Sequence, residues 1–332
     1  ETFSVIAYVG GIEDLHHRFI RSIGDPDERI QEDPVRILRA IKFSARLGFD
    51  IDPALWAAMV RFAPDIHKCA KARVLEEIYR LLRGGTAAAS FQLLLECGLL
   101  EQLLPEVTEF LLDARSERDG DRRFWQYLNT LDELRREGQE ISNSLLLGAL
   151  AVHLTGGAVG DDPEREPDPG ELGALVDELT GEWVARLGVA RRDRERLAQM
   201  LRSQSRFTRA RGRRFRPRSF AVKHYFPDAL QLFALGCRAT GLELEALARW
   251  QELDAQVRGE TDRGPAGQDA EAQRPGRGVA GDTEPRSRSR RRRRRKGPAE
   301  AVVTEAPSAP VESEEGNQSR RRRSRRRRRR HR

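Results

Sequence analysis

The sequence contains little cysteine and no long apolar segment. Its 332 residues include three cysteines, Cys69, Cys97 and Cys237, which lie far apart in the chain. They form no metal-ligand spacing. Isolated cysteines are typical of small buried side chains in a protein of the reducing cytoplasm, so we expect a cytoplasmic protein. No apolar run approaches the roughly 20 residues that a membrane-spanning helix needs.

The sequence also offers few strand signals. Apolar and polar side chains alternate from Thr2 to Val9, which predicts one strand ended by the turn Gly10-Gly11. From Asp33 to about Glu252 the apolar residues recur with a helical period, and we therefore predict a mainly α fold. The predicted helices are Asp33–Leu47, Pro53–Phe62, Lys71–Arg83, Thr86–Cys97, Leu99–Leu103, Arg122–Glu137, Ser142–Leu154, Pro169–Leu187, Arg191–Ser203, Pro217–Phe226, Pro227–Arg238 and Leu242–Asp254.

Charged side chains are concentrated at the start of one amphipathic helix. Asp33 followed by Pro34 predicts an N-cap with proline at the first helical position, and Gly48 predicts the helix end. Arg36 and Arg39 are three residues apart and share a face of this helix. Carboxylates accept hydrogen bonds and guanidinium groups donate them, so the cluster can bind the edge of a nucleotide base. The alternative is a capped helix whose charged groups pair with each other or face solvent.

Three motifs in order resemble one enzyme family. The segment IGDPDERIQEDPVRILRAIKFSARLGFDID contains Glu32, Asp33 and Arg36 in the pattern Glu-Asp-x-x-Arg. YVGGIEDL lies upstream of it, and KARVLEEIYRLLRGG lies downstream with Arg73 in an Arg-x-x-Glu-Glu pattern. Over about residues 1–255 the chain resembles the class II nucleotidyltransferases, which are the bacterial poly(A) polymerases and tRNA CCA-adding enzymes.

The resemblance implies a nucleotide-binding site at Glu32, Asp33, Arg36 and Arg39. In this family the aspartate and arginine of the motif pair with the base edge of the incoming ATP. The family also uses Mg²⁺, held by an Asp-x-Asp pair in a head that precedes this region. No Gly-Ser followed by such a pair occurs in the sequence, and Ala7 stands where the family usually has Asp. We therefore expect no catalytic or metal-binding residues in this chain and no catalysis by it alone.

Two basic segments predict contacts with RNA. In the first, arginines are interleaved with Phe207, Phe215 and Phe220, a pattern that suits phosphate neutralisation and base stacking on a single strand. The alternative places the phenylalanines in the core and the arginines in solvent. The candidate RNA-binding residues of this segment are Arg206, Arg209, Arg211, Arg213, Arg214 and Arg216.

The second basic segment is the C-terminal tail. Between residues 285 and 332 lie 20 of the 60 Lys and Arg residues but only 5 of the 52 Asp and Glu residues, so the remainder has a net charge of −7. Too few apolar residues occur beyond about Gly259 to form a core, which predicts a disordered tail. Its arginine blocks favour strong, salt-dependent binding to RNA; the alternative is a solubility or localisation tail. Bacterial poly(A) polymerases commonly carry an arginine-rich C-terminal extension, whereas CCA-adding enzymes usually do not.

The expected organisation follows from the resemblance. Residues 1–25 are expected to be a remnant of a truncated α/β head, since the chain begins at Glu1 in the predicted strand. A helical neck (26–105) is expected to bind nucleotide and RNA, a helical body (106–256) to bind RNA, and 257–332 to form the tail. The implied activity is the addition of AMP from ATP to RNA 3′ ends, as in the polyadenylation that promotes mRNA decay. The alternatives are tRNA CCA addition and a non-catalytic RNA-binding adaptor.

Overall fold

The chain is mainly α-helical, as its periodicity predicts. The computed structural model describes residues 9–114, 120–161, 168–208 and 216–262. The predicted strand before Val9, the Ala7 position and the tail beyond 262 lie outside the described residues. None of the described helices is long and apolar enough to cross a bilayer.

Helices account for most of the described chain. Two short 3₁₀ helices lie within the described ranges, at Ala63–Lys68 and Val152–Thr155. The α-helices of the described ranges are α1 (Gly11–His17), α2 (Pro26–Glu32), α3 (Val35–Leu47), α4 (Pro53–Phe62), α5 (Lys71–Arg83), α6 (Ala87–Glu96), α7 (Leu99–Leu103), α8 (Pro105–Ala114), α9 (Gly120–Arg136), α10 (Asn143–Ala151), α11 (Pro169–Leu187), α12 (Arg191–Leu201), α13 (Ser205–Thr208), α14 (Pro217–Ala221), α15 (Phe226–Thr240) and α16 (Leu244–Asp262).

Helix ends follow local capping chemistry. Helices α4, α5, α7 and α11 have the predicted bounds, whereas α14 ends five residues earlier than predicted, at Ala221. Helix α2 was not predicted, although the Asp25 carboxylate accepts the Glu28 N–H at 3.0 Å and Pro26 stands at the first position. Gly48 ends α3 in the left-handed region at φ 65°, as predicted.

Two very short strands were also not predicted from the sequence. β1 (Phe19–Ile20) pairs in parallel with β2 (Asp50–Ile51), with Phe19 opposite Asp50. Two residues are too few to show alternation, so no periodicity signal exists for them. The pairing joins the segment before α2 to the segment between α3 and α4, and it thereby fixes the entry to α2.

One hydrophobic core runs through the described residues, from Ile30 in α2 to Trp250 in α16. Cys97 and Cys237 are buried in it, as expected, whereas Cys69 is only half-buried. Burial raises the pKa of the Cys97 thiol to about 11. The described residues all fall within one unit of tertiary contacts. The boundary predicted between neck and body stays a prediction.

Helices α9 and α15 approach each other closely. Tyr127 is fully buried, and its hydroxyl accepts the Val159 N–H at 2.9 Å. Gly236 lies against this hydroxyl, and a Cβ at position 236 would overlap both the Tyr127 ring and Val159. Glycine is therefore required here by a close approach between helices.

We expect Gly236→Ala to lower the free energy of unfolding by about 1–3 kcal/mol, because it overpacks this contact. The matched control is Gly173→Ala in α11, where an added Cβ meets nothing within 4 Å. The control should raise stability by about 0.4–1 kcal/mol, because alanine restricts the unfolded chain. Urea unfolding monitored by circular dichroism measures both, and equal effects would contradict the packing argument.

Candidate functional site

The predicted nucleotide cluster lies at the junction of α2 and α3. Glu32 is the last residue of α2, and Asp33 connects the two helices. The Asp33 Oδ1 atom accepts the Val35 N–H at 3.3 Å, and its backbone carbonyl accepts the Arg36 N–H at 3.0 Å. The N-cap of α3 is Pro34 and its first residue is Val35, so the prediction of Asp33 as the N-cap with Pro34 at the first helical position is wrong by one residue. The Asp33 carboxylate nevertheless accepts a hydrogen bond at the start of the helix.

The second oxygen of Asp33 binds a residue from a distant motif. Arg73, in the first turn of α5, donates from Nη2 to Asp33 Oδ2 at 2.9 Å. This bond raises the pKa of the Arg73 guanidinium. The structure thus joins two of the three sequence motifs through a contact between residues 40 positions apart, and Arg73 joins the candidate site.

Glu32 is held by arginines of its own cluster. Arg29 donates to Glu32 Oε2 at 2.6 Å, and the Arg36 Nη2 atom lies 4.0 Å from the same oxygen. The Glu32 side chain is 55% exposed, so these pairs are weak in water. For Glu32 the structure therefore agrees with the alternative interpretation, in which the charged groups of the cluster pair with each other.

Arg36 and Arg39 border a cavity of about 290 Å³. The Arg36 Nε atom is buried and has no hydrogen-bond partner among the described residues. The Arg36 side chain as a whole is 40% exposed, so part of its guanidinium group is accessible to a ligand in the cavity. Other residues of the cavity wall are Ile20, Arg21, Ser22, Ile23, Arg29, Ile30, Ala40, Phe43 and Leu55.

A second cleft, of about 500 Å³, lies between α3 and α5. Exposed Arg39 borders both this cleft and the cavity, and it forms no ion pair within the described ranges. The floor of the cleft holds Glu77, which accepts hydrogen bonds from Lys42 and Arg80, each at 2.7 Å. Burial acts to raise the pKa of Glu77, but these two cations outweigh it and hold the pKa below its usual value.

The predicted RNA segment separates into a buried and an exposed part. Arg206 and Arg216 are exposed. Phe207 and Phe220 are only 1% and 4% exposed, so the prediction that they stack on bases is wrong, because both rings fill the core. The remaining candidates, Arg209, Arg211, Arg213 and Arg214, lie outside the described residues, as does Phe215.

Comparisons with known proteins bear on these sites. A model described as "Probable RNA and SrmB- binding site of polymerase A" matches residues 48–111, and one described as "Polymerase A arginine-rich C-terminus" matches residues 171–296. Poly(A) polymerase I of Salmonella typhimurium is 34% identical over 148 residues, which cover 45% of this chain and 32% of that protein. The chain belongs to the family of poly(A) polymerases and CCA-adding enzymes.

Other members of this family match more of the chain at lower identity. The CCA-adding enzyme of Levilactobacillus brevis is 29% identical over 218 residues, covering 60% of this chain and 53% of that protein. The crystal structure of the Bacillus stearothermophilus CCA-adding enzyme in complex with CTP has a TM-score of 0.50 at 19% identity, covering 78% of this chain and 54% of that one. The likeness shows that the fold is shared. The chain spans about a third to a half of the length of these relatives.

The described part of the chain does not fit the Mg²⁺ centre that the family implies. Two-metal nucleotidyl transfer needs carboxylates that converge on the ions. Within the described ranges, no group of three histidine, cysteine, aspartate or glutamate side chains is arranged to hold a metal ion. We therefore assign no Mg²⁺ ligand to these residues.

The Glu77 network predicts a pH-dependent contribution to stability. Because the pKa of folded Glu77 lies below its usual 4.5, the stabilisation is full above that pH and is lost as pH falls through the folded value. We expect Glu77→Gln to lower the free energy of unfolding by about 1–3 kcal/mol at neutral pH. The difference from the unmodified chain should shrink in acid.

Glu76→Gln is the matched control, since Glu76 also binds Arg80 but its side chain is 51% exposed. Its effect should stay below about 1 kcal/mol. Denaturant titrations at neutral and acid pH measure both variants. A Glu77→Gln effect that is independent of pH would contradict the charge argument.

Proposed function

We propose that this chain belongs to an enzyme that adds AMP from ATP to RNA 3′ ends, in which it selects the nucleotide and holds the RNA. The observation that carries the proposal is the partly exposed Arg36 guanidinium group on the wall of the 290 Å³ cavity. Membership of the nucleotidyltransferase family supports a nucleotide as the occupant.

In the proposed site, Asp33 and Arg36 bind the adenine edge. Adenine presents an amino donor and a ring-nitrogen acceptor, which match a carboxylate acceptor and a guanidinium donor. Hydrogen bonds from Val35 and Arg73 hold the Asp33 carboxylate in one orientation. Arg39 offers a second donor at the cavity rim, and Glu32 orients Arg36. A related solved structure is described as a CCA-adding enzyme with ATP, which supports ATP as the ligand.

The RNA is proposed to run along the body and the tail. The candidate contacts are the six arginines from Arg206 to Arg216, together with the arginine blocks after residue 285. A neighbour structure is described as a CCA-adding enzyme complexed with tRNA, and a family model over residues 48–111 is described as a probable RNA-binding site. The division into head remnant, neck, body and tail is part of this proposal, as is a cytoplasmic location.

Polyadenylation is favoured over CCA addition by one observation. The model of the arginine-rich C-terminus of polymerase A covers residues 171–296. CCA addition is the second candidate, since CCA-adding enzymes are among the relatives that cover the largest share of this chain. In this proposal, Mg²⁺ would be bound by residues outside the described ranges and would polarise the phosphates of ATP.

An extension assay tests the proposal. We expect this chain alone to leave an oligo(A) primer unextended with Mg²⁺ and labelled ATP. Joined to the N-terminal part of poly(A) polymerase I that it does not match, it should extend oligo(A) with ATP alone. Supply of ATP and CTP with a tRNA that ends at the discriminator base distinguishes CCA addition. Extension by the chain alone would contradict the proposal that catalysis needs residues outside this chain. Inactivity of the joined protein would favour the non-catalytic RNA-binding adaptor.

A further inference from the structure

One aromatic ring stays outside the core. Among the phenylalanine, tyrosine and tryptophan side chains of the described residues, only Phe43 of α3 is exposed, with 40% of its surface accessible to solvent. It belongs neither to the core nor to the apolar side chains that pack against the core, in contrast to Phe207 and Phe220. A single exposed apolar side chain is ordinary in a folded protein, so its location decides what it can do.

Phe43 lies on the wall of the 290 Å³ cavity that Arg36 also borders. Arg36, Ala40 and Phe43 recur at helical spacing, and all three line the cavity, so they form one stripe along α3. Side chains of a helix are tilted toward its N-terminus, and the Phe43 ring therefore leaves α3 in the direction of Arg36. One occupant of the cavity can contact both the guanidinium group and the ring.

A cation positions the Phe43 ring. The Lys42 ammonium lies 5.5 Å from the ring centroid, within the range of a cation–π contact. The same Nζ atom donates a hydrogen bond to the Glu77 carboxylate at 2.7 Å. Since Glu77 is buried, Lys42 is anchored at its far end, and its contact favours one position of the ring.

A nucleotide base presents two kinds of surface to such a cavity. Its edge carries hydrogen-bond donors and acceptors, which match Arg36 in the proposed site. Its faces are π surfaces, which stack on aromatic side chains. Ile20, Ile30 and Leu55 also belong to the cavity wall, but aliphatic side chains cannot stack in this way. Phe43 is therefore the group of this wall that suits the face of a base.

We propose that the Phe43 ring stacks on the adenine of ATP while Arg36 binds the edge of the same base. This inference rests on the proposed function for the identity of the nucleotide. Stacking is tolerant of base identity because every base has a π face. Phe43 therefore supplies affinity for the base, whereas Arg36 supplies the preference for adenine.

Calorimetric titration of the full chain with ATP tests the stacking. Phe43→Leu keeps an apolar side chain but removes the ring, and it should weaken ATP binding by about tenfold, on the scale of one base stack. Phe43→Tyr keeps the ring and should retain the affinity. Leu47→Ala is the control, because Leu47 lies on the same helix, is 50% exposed and does not border the cavity. The control should leave ATP affinity unchanged, and thermal melting checks that each variant folds.

A fluorescence signature gives an independent measurement. Phe43→Trp places an indole ring in the cavity, and stacking on adenine should quench the emission that this ring adds to that of the native tryptophans. Leu47→Trp places the same fluorophore outside the cavity and should show no added quenching. Equal quenching of the two variants by ATP would contradict a stack at position 43.

The outcomes distinguish this inference from the proposed function. If the unmodified chain binds ATP and Phe43→Leu binds it equally well, the stack is wrong and the proposed function stands. An equal loss in Phe43→Leu and Phe43→Tyr would also overturn the stack. A loss of oligo(A) affinity with ATP affinity retained would assign the ring to an RNA base instead. A chain that does not bind ATP would contradict the proposed function and the inference together.

Discussion

The carboxylate of Asp33 holds the candidate nucleotide site together. One oxygen accepts the Val35 N–H at the start of α3, and the other binds Arg73 of α5. These bonds fix the start of α3, and with it the direction in which Arg36 leaves the helix. Loss of either bond would leave the cavity intact but let its polar edge move. Because Arg73 is exposed and its pair with Asp33 is open to water, this tie contributes to geometry more than to stability.

Charge is used in two ways in this structure. Around the cleft between α3 and α5, cations and carboxylates neutralise each other, and Glu77 anchors Lys42 and Arg80 in one network. Near α14 a cation instead lies over an aromatic ring, since the Arg206 guanidinium is 5.5 Å from the centroid of the Phe220 ring. The first arrangement holds side chains through paired charges, and the second holds one through a contact between a cation and a ring.

Local sequence signals predicted most of the helices, but they did not predict the contacts that build the candidate site. Gly48 as the end of α3 and the bounds of α5 and α11 follow from capping and helical period, which depend on neighbours in sequence. Helix α2 was missed because Asp25-Pro26 also fits a turn, and the β1–β2 pair is too short to show a pattern. The contact between Asp33 and Arg73 depends on how α3 and α5 pack, and no local signal contains it. Interleaved arginines and phenylalanines fit two arrangements equally well, and only burial distinguishes a core ring from a stacking platform.

The central claim is that Arg36 selects the nucleotide. The most direct test is the affinity of the chain for ATP, measured by calorimetry for Arg36→Ala and for Arg46→Ala, with RNA affinity measured in parallel. Arg46 is the matched control, because it lies on the same helix, is exposed and does not border the cavity. The account predicts a severalfold loss of ATP affinity for Arg36→Ala alone, with RNA affinity retained. Equal ATP affinity in both variants, or a loss of RNA affinity instead, would contradict it.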